Sequence, residues 1–319
     1  MLITRTPLRV SLFGGGTDFP AYYEKNGGCV LTTAINKYVY VIIKPRIDNK
    51  VRVSCTHIQT VRHTKDLKHE LIREAMSLTG MPNGVEITTI GDIPAGMGLG
   101  SSSSIIVGLL KAMHIYCHNE VSDDIIAREA CMIERDILHK PIGVQDQYIA
   151  SYGGLRFIQF SNSGVSVSPD ISNHRRALQD RFMLFSTGVT RKSSDVLTEQ
   201  EHEIAKNRPI LDEMRDLASF AFEKVSRASY DAVGHLLDRS WILKRKLASN
   251  ITNPKIDRLY HKAMKAGALG GKVAGAGGGG FLLIYSPPEK KDAIRKALRE
   301  LRELPFAFEP EGTKVILNI

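Results

Sequence analysis

Several short stretches of this chain carry residue types that can grip a phosphate and steer a hydroxyl. The run Pro94-Ala95-Gly96-Met97-Gly98-Leu99-Gly100 leads into Ser101-Ser102-Ser103-Ser104 and then into apolar residues 105–116. Three alternating glycines leave backbone N–H groups free to converge on one anion. Serines at the start of a helix add hydroxyl donors and the positive end of the helix dipole. The same composition suits a flexible turn. The segment behind it is apolar nearly all round, which describes a buried helix rather than a linker.

Carboxylates supply the second kind of chemistry. At about 100° per residue, residues 123–139 put Ile126, Ala127, Ala130, Ile133, Ile137 and Leu138 on one face, and Glu134 falls inside it. A carboxylate on a core-facing stripe needs an ion-pair partner, hydrogen bonds or a hard cation such as Mg²⁺. Asp146 follows in Gly143-Val144-Gln145-Asp146-Gln147, after Pro141 ends that helix. It can cap a short helix over 146–151, or orient and deprotonate an attacking hydroxyl.

Two further glycine clusters flank these. Gly14-Gly15-Gly16-Thr17-Asp18 follows a strand carrying Arg9. It reads either as a tight turn with a solvated aspartate or as a place where a ligand approaches backbone. Lys272-Val273-Ala274-Gly275-Ala276-Gly277-Gly278-Gly279-Gly280 contains GxGxxG, but a strand rather than a helix follows it, and Lys272 lacks the Walker spacing. What remains is a glycine loop packed against a ligand or another loop. His114 and His118, near Cys117 and Glu120, read as ordinary surface histidines rather than metal ligands.

These groups need a scaffold, and the pattern supplies an α/β (α+β) one. Strands are expected at 7–13, 29–34, 38–44, 51–55, 84–90, 155–160, 181–187, 281–285 and 313–318, the first half-buried with Arg9 and Ser11 on its polar face. Helices are expected at 66–79, 103–118, 122–139 and 288–303, with 194–265 mostly helical and 161–178 a polar loop. A chain of 319 residues is long enough for about two domains, each with a core, here divided as 1–180 and 181–319.

Composition narrows the partners. Hydrophobic content of 43% and charged content of 24% are those of a soluble globular protein. No apolar run approaches the roughly 20 residues that cross a bilayer, and the first residues lack the order of a secretory signal. Cys29, Cys55, Cys117 and Cys131 show no CxxC spacing, so reduced thiols in a cytoplasm are expected. A net charge of +9 favours anionic ligands. The basic residues are dispersed and no nucleic-acid motif accompanies them, so small phosphorylated molecules are the expected partners, with neither nucleic acid nor membrane.

In order along the chain, strand–GGGTD, PAGMGLGSSSS and KVAGAGGGG resemble the three motifs of the GHMP kinases, over essentially the whole length. The resemblance implies the two-domain GHMP kinase fold with an ATP site between the domains, and an ATP-dependent phosphotransferase with an alcohol group as acceptor. It implies nucleotide contacts from Gly96, Gly98, Leu99, Gly100, Ser101, Ser102 and Ser103, Mg²⁺ on Ser102 and Glu134, and catalytic roles for Asp146 and Arg9. TPLRVSLFGGGTDF is similar to the sugar-binding start of galactokinases, which implies substrate contacts from Gly15, Gly16, Thr17, Asp18 and Gln147. Gly15 and Gly16 stand where galactokinases carry an acidic residue and a histidine.

GGGTDF together with IERDILHKPIGVQDQYIASYGG looks closest to the D-glycero-α-D-manno-heptose 7-phosphate kinases. That resemblance implies transfer to the anomeric hydroxyl of a sugar phosphate, giving the 1,7-bisphosphate. Arg191, with Lys192, would grip the phosphate already present, or form an ordinary basic loop. The alternatives are another anomeric sugar kinase acting on fucose or another hexose, and a non-catalytic sugar sensor on the same fold. A homodimer is the candidate assembly.

Overall fold

In the computed structural model, which describes residues 1–171, 175–189 and 193–319, the chain builds two sheets. β1 (Leu2–Phe13) and β2 (Gly28–Pro45) form the long antiparallel centre of the first. β3 (Val51–Ser54), β4 (Ile58–Val61), β5 (Val85–Gly91), β6 (Leu155–Ser161) and β7 (Gly164–Val167) extend it. The second sheet holds β8 (Phe182–Ser186), β9 (Gly270–Val273), β10 (Phe281–Tyr285) and β11 (Arg302–Glu303), and β12 (Lys314–Asn318) returns to pair with β1. Strand order is β12-β1-β2-β5-β3-β4 in the first, with β6 on the other half of β2 and β7 beyond it, and β11-β8-β10-β9 in the second. β3 and β5 pair in parallel.

Helices cover both sheets. α1 (Pro20–Asn26), α2 (Glu70–Thr79), α3 (Ser101–Tyr116), α4 (Asp123–Cys131) and α5 (Gln145–Tyr152) accompany the first. α6 (Arg175–Gln179), α7 (Ser193–His202), α8 (Ile204–Ser226), α9 (Tyr230–Lys244), α10 (Pro254–Lys265) and α11 (Lys291–Ala297) accompany the second. α3 runs against β1 and β2 and is enclosed by α2, α4 and α5. Its residues Ile106, Val107, Leu109, Leu110 and Met113 are therefore fully buried, which is why the segment is apolar nearly all round. Among the described residues no helix is long and apolar enough to cross a membrane.

One core cluster unites the two sheets: Leu8, Val10 and Leu12 of β1 pack with Phe182, Leu184, Leu237 and Leu283. The halves on either side of residue 180 are thus joined by shared apolar surface rather than by a linker.

Some elements differ from the sequence pattern. β2 is one continuous strand where two were expected, and β7 lies inside the expected loop 161–178. The helix expected over 288–303 is α-helical only from Lys291 to Ala297. Leu298 and Leu301, which prolong the amphipathic pattern, instead form a turn closed by Leu301 N–H on Leu298 O and feed β11.

Candidate active site

β1 leaves its pairing at the floor of a cleft. Ser11 pairs with Thr32 but Phe13 with Leu31, so a bulge takes Leu12 out of the ladder. Its carbonyl accepts instead from Lys272 Nζ of β9 at 3.1 Å. Lys272 is almost wholly enclosed. Burial pushes its amine down to about 7, the Arg9 charge acts the same way, and Asp18 opposes both.

Arg9 is buried too, as is Ser11, so β1 is not the half-buried strand its alternation suggested. Its polar face looks into the cleft, not into bulk water. The Arg9 N–H donates to Leu99 O at 3.0 Å. The guanidinium grips Asp146 through Nε on Oδ1 at 2.6 Å and Nη2 on Oδ2 at 2.5 Å, and Nη1 donates to Gly98 O at 2.7 Å. A bidentate, charge-assisted pair of this kind fixes both groups. Asp146 lies in the first turn of α5 but does not cap it; Val144 occupies the cap position.

The phosphate-type loop and the second glycine loop pass backbone to backbone. Gly98 has a left-handed φ of +81°, and a Cβ there would stand 2.6 Å from Ala274 O. A Cβ on Gly275 would stand 2.6 Å from Gly98 Cα. Glycine at both positions permits the crossing, and the loop at 274–280 is one packed against another loop. Lys244 at the end of α9 ties it down, donating to Val273 O at 3.3 Å and to Gly275 O. Behind the crossing, α3 starts at Ser101 with no side-chain cap, and its first residues Ser101, Ser102 and Ser103 line the cleft.

Glu134 owes its place to a change of helix. α4 stops at Cys131 and Met132–Ile137 continues as a π-helix, with Leu138 N–H on Ile133 O at 3.0 Å. The wider turn holds a fully buried Glu134 against four donors. Ser102 Oγ donates to Oε1 and Ser103 Oγ to Oε2, each at 2.7 Å, and Gln147 Nε2 reaches Oε2 at 2.7 Å. Lys140 Nζ stands 3.5 Å from Oε1 and 3.5 Å from Ser102 Oγ. Ser103 is buried while Ser102 is exposed, so Ser102 Oγ and Glu134 Oε1 form the oxygen pair that faces the cleft. Hard oxygen donors beside a phosphate-shaped loop fit a divalent cation of the Mg²⁺ type.

Asp18 is held as firmly. Gly16 N–H donates to Oδ1 at 2.9 Å, and Gln145 donates to Oδ2 through its backbone at 3.2 Å and its side chain at 3.0 Å. Burial pushes the Asp18 carboxyl above its ordinary range, and the Gly16 hydrogen bond pulls the other way.

Together these groups line a cleft of about 380 Å³, within the size range of small-molecule sites. Arg9, Asp146, Gly15, Gly16, Asp18, Gly96, Gly98, Gly100, Ser101, Ser102, Ser103 and Glu134 all lie on its lining. Three expected contacts do not. Thr17 is spent inside its own turn, donating to Gly14 O at 2.8 Å and Cys29 O at 2.9 Å. Gln147 is buried behind Glu134 and positions that carboxylate rather than facing the cleft. Leu99 points into the core. Arg191 and Lys192 lie outside the described residues.

His114 is also not at the surface: it is buried and bonded to Glu129 through Nε2 at 2.7 Å, because α3 packs that face on α4. Sequence reasoning missed Ser11, Gln145, Lys140, Lys244 and Lys272 as lining groups. For Lys272 a signal existed, a single charge inside the small and apolar run Gly270–Ala274.

Comparison with known proteins bears on the family and the fold. The GHMP kinases N terminal domain matches residues 63–154, and the GHMP kinases C terminal domain matches residues 221–304. A D-glycero-alpha-D-manno-heptose 7-phosphate kinase of Campylobacter jejuni is 32% identical, over 98% of this chain and 97% of that protein. An L-fucokinase/L-fucose-1-P guanylyltransferase of Bacteroides fragilis is 27% identical over 97% of this chain but 37% of its own length. The crystal structure of a D-glycero-D-manno-heptose 1-phosphate kinase from Bacteroides thetaiotaomicron superposes with a TM-score of 0.80 at 26% identity, covering both chains completely. Both halves of the fold and the full length of a relative are accounted for, and the chain belongs to the GHMP kinase family.

Proposed function

We propose that this protein is an ATP-dependent sugar kinase that phosphorylates the anomeric hydroxyl of D-glycero-α-D-manno-heptose 7-phosphate to give the 1,7-bisphosphate. The observation that carries the reading is the Arg9–Asp146 pair, set in one cleft with the Ser102–Glu134 oxygens. Identity to the heptose 7-phosphate kinase along nearly the whole chain supports the choice of sugar.

In this reading the backbone of residues 96–103 cradles the β- and γ-phosphates of ATP at the start of α3. Ser102 Oγ and Glu134 Oε1 would hold Mg²⁺, which when bound supplies positive charge against the phosphate oxygens. Asp146 accepts the proton of the anomeric hydroxyl as its oxygen bonds to the γ-phosphorus and the bond to ADP breaks. Arg9 holds Asp146 in one orientation, and one N–H on each of its Nη atoms is not used in its bonds to Asp146 and Gly98. Those two donors suit the transferring phosphoryl group. Asp18, with Gly15 and Gly16, faces the sugar. The same reading divides the chain at 180/181 and places the protein in the cytoplasm, in keeping with its four free cysteines.

The test is ADP release with Mg-ATP against D-glycero-D-manno-heptose 7-phosphate, galactose, fucose and mannose, with products identified by NMR. Turnover on the heptose phosphate with a new anomeric phosphate is expected. The fucokinase likeness makes fucose the competing acceptor; turnover of fucose or another free hexose instead would replace the substrate and keep the chemistry, and silence on all four would remove the kinase assignment for these sugars.

A further inference from the structure

Two buried polar atoms beside the cleft lack a partner inside the protein: Ser11 Oγ on β1 and Gln145 Oε1 at the start of α5. Both residues are more than nine-tenths buried, and both line the cleft. Buried polar atoms are paired in nearly every folded protein, so an orphan pair on a cleft floor marks where ligand atoms complete the set. The Gln145 amide has no freedom to flip. Its Nε2 donates to Asp18 Oδ2 at 3.0 Å, which leaves Oε1 an acceptor.

Gly15 stands over the same spot. A Cβ there would lie 3.3 Å from Ser11 Oγ and 3.5 Å from Gln145 Nε2. Gly14 and Gly16 both have positive φ, whereas Gly15 does not, so its conformation is open to other residues. Glycine at 15 serves space, not backbone geometry.

We propose that Ser11, Gln145 and the gap left by Gly15 form a hydroxyl-reading recess that selects the sugar. Gln145 Oε1 accepts a hydrogen bond from one ring hydroxyl and Ser11 Oγ pairs with a neighbouring one. A sugar lacking the donating hydroxyl, or bearing a bulkier group there, leaves Gln145 Oε1 unpaired and is rejected. This inference rests on the sugar-acceptor reading above and adds the residues that discriminate among acceptors.

Ser11→Ala and Gly15→Ala test it by steady-state kinetics on the four-sugar panel, with thermal unfolding alongside. Removing an unpartnered buried hydroxyl costs the fold nothing, so Ser11→Ala should keep or raise Tm. Its KM for the sugar should rise about 3- to 10-fold, the worth of one neutral hydrogen bond, with KM for ATP unmoved. Gly15→Ala should raise the sugar KM at least as far by filling the gap. In both, the loss falls on KM rather than kcat.

An unchanged sugar KM in both variants, on a wild type that turns over the heptose phosphate, overturns the recess and leaves the substrate reading standing. A wild type that ignores the heptose phosphate but accepts a hexose, with Ser11→Ala raising that hexose's KM, overturns the substrate and upholds the recess. Silence of the wild type on all four sugars overturns both.

Discussion

Asp146 and Glu134 line the same cleft, yet Asp146 rests on a guanidinium while Glu134 rests on two hydroxyls and an amide. Asp146 has a full counter-charge at 2.5 Å. Glu134 is more deeply buried, and the nearest cation described, Lys140, stands at 3.5 Å. The difference separates two tasks. A carboxylate gripped by arginine is neutralised within the protein and fixed in direction, as suits a group that positions a hydroxyl. A carboxylate oriented mainly by neutral donors, with the Lys140 ammonium at 3.5 Å, suits a group that receives something that arrives.

The comparison can be broken first at Asp146. Asp146→Asn should lower kcat about 10²- to 10⁴-fold, the usual worth of a positioned acid–base group, while calorimetry finds nucleotide affinity within a few-fold. Near-normal turnover would reduce Asp146 to a structural partner of Arg9. Glu134→Gln should act through the cation instead, raising the Mg²⁺ concentration for half-maximal activity by about 100-fold. Gln147→Met, which removes a support of Glu134, should raise it about 10-fold. A Mg²⁺ midpoint that stays put in both variants would assign Glu134 to the fold alone.

Gly98→Ala sharpens the contrast from the loop side, since Gly98 O holds Arg9. A methyl at a positive φ, 2.6 Å from Ala274 O, should cost about 2 kcal/mol or more in a urea titration. Unaltered stability would mean that the two loops part easily.

A further test lies at Lys272, the buried amine near both Arg9 and Asp18. Its folded value of about 7 lies below the ordinary 10.5, so between those limits the folded chain binds fewer protons than the unfolded one. Stability from this group therefore rises as pH climbs from about 7 to 10.5, and its penalty is full below about 7. Lys272→Met should flatten the rise in unfolding free energy between pH 7 and 9. An unchanged slope would place the titration elsewhere.

Much of the cleft was legible because its chemistry follows short spacings. The 96–104 loop, Glu134 on an apolar stripe, and Asp146 after Pro141 each break a local pattern in a way that burial must explain. Gln147 and Thr17 misled because neighbours in a motif need not share a direction: one turn of α5 sends Asp146 to Arg9 and Gln147 to Glu134. Ser11, Gln145 and Lys272 were hidden for another reason. Ser11 and Lys272 take their places from a bulge at Leu12 and a contact 260 residues apart, and Gln145 from Asp18, 127 residues earlier, none of which leaves a periodic trace. Strand β2 was divided at Asn36 and Lys37 because two polar residues interrupt its apolar run, although its pairing with β1 continues on both sides of them.

The π-helix at Met132–Ile137 gives the chain an unusual way to change. A turn that carries a surplus residue can shed it and remain helical. Deleting one residue there would let α4 run on and swing Glu134 about 100° around the axis, away from Ser102. The glycine loops and the Arg9–Asp146 pair would keep their places. A single lost codon is thus a short genetic path from this kinase to a descendant that keeps its cleft but no longer holds Glu134 against Ser102.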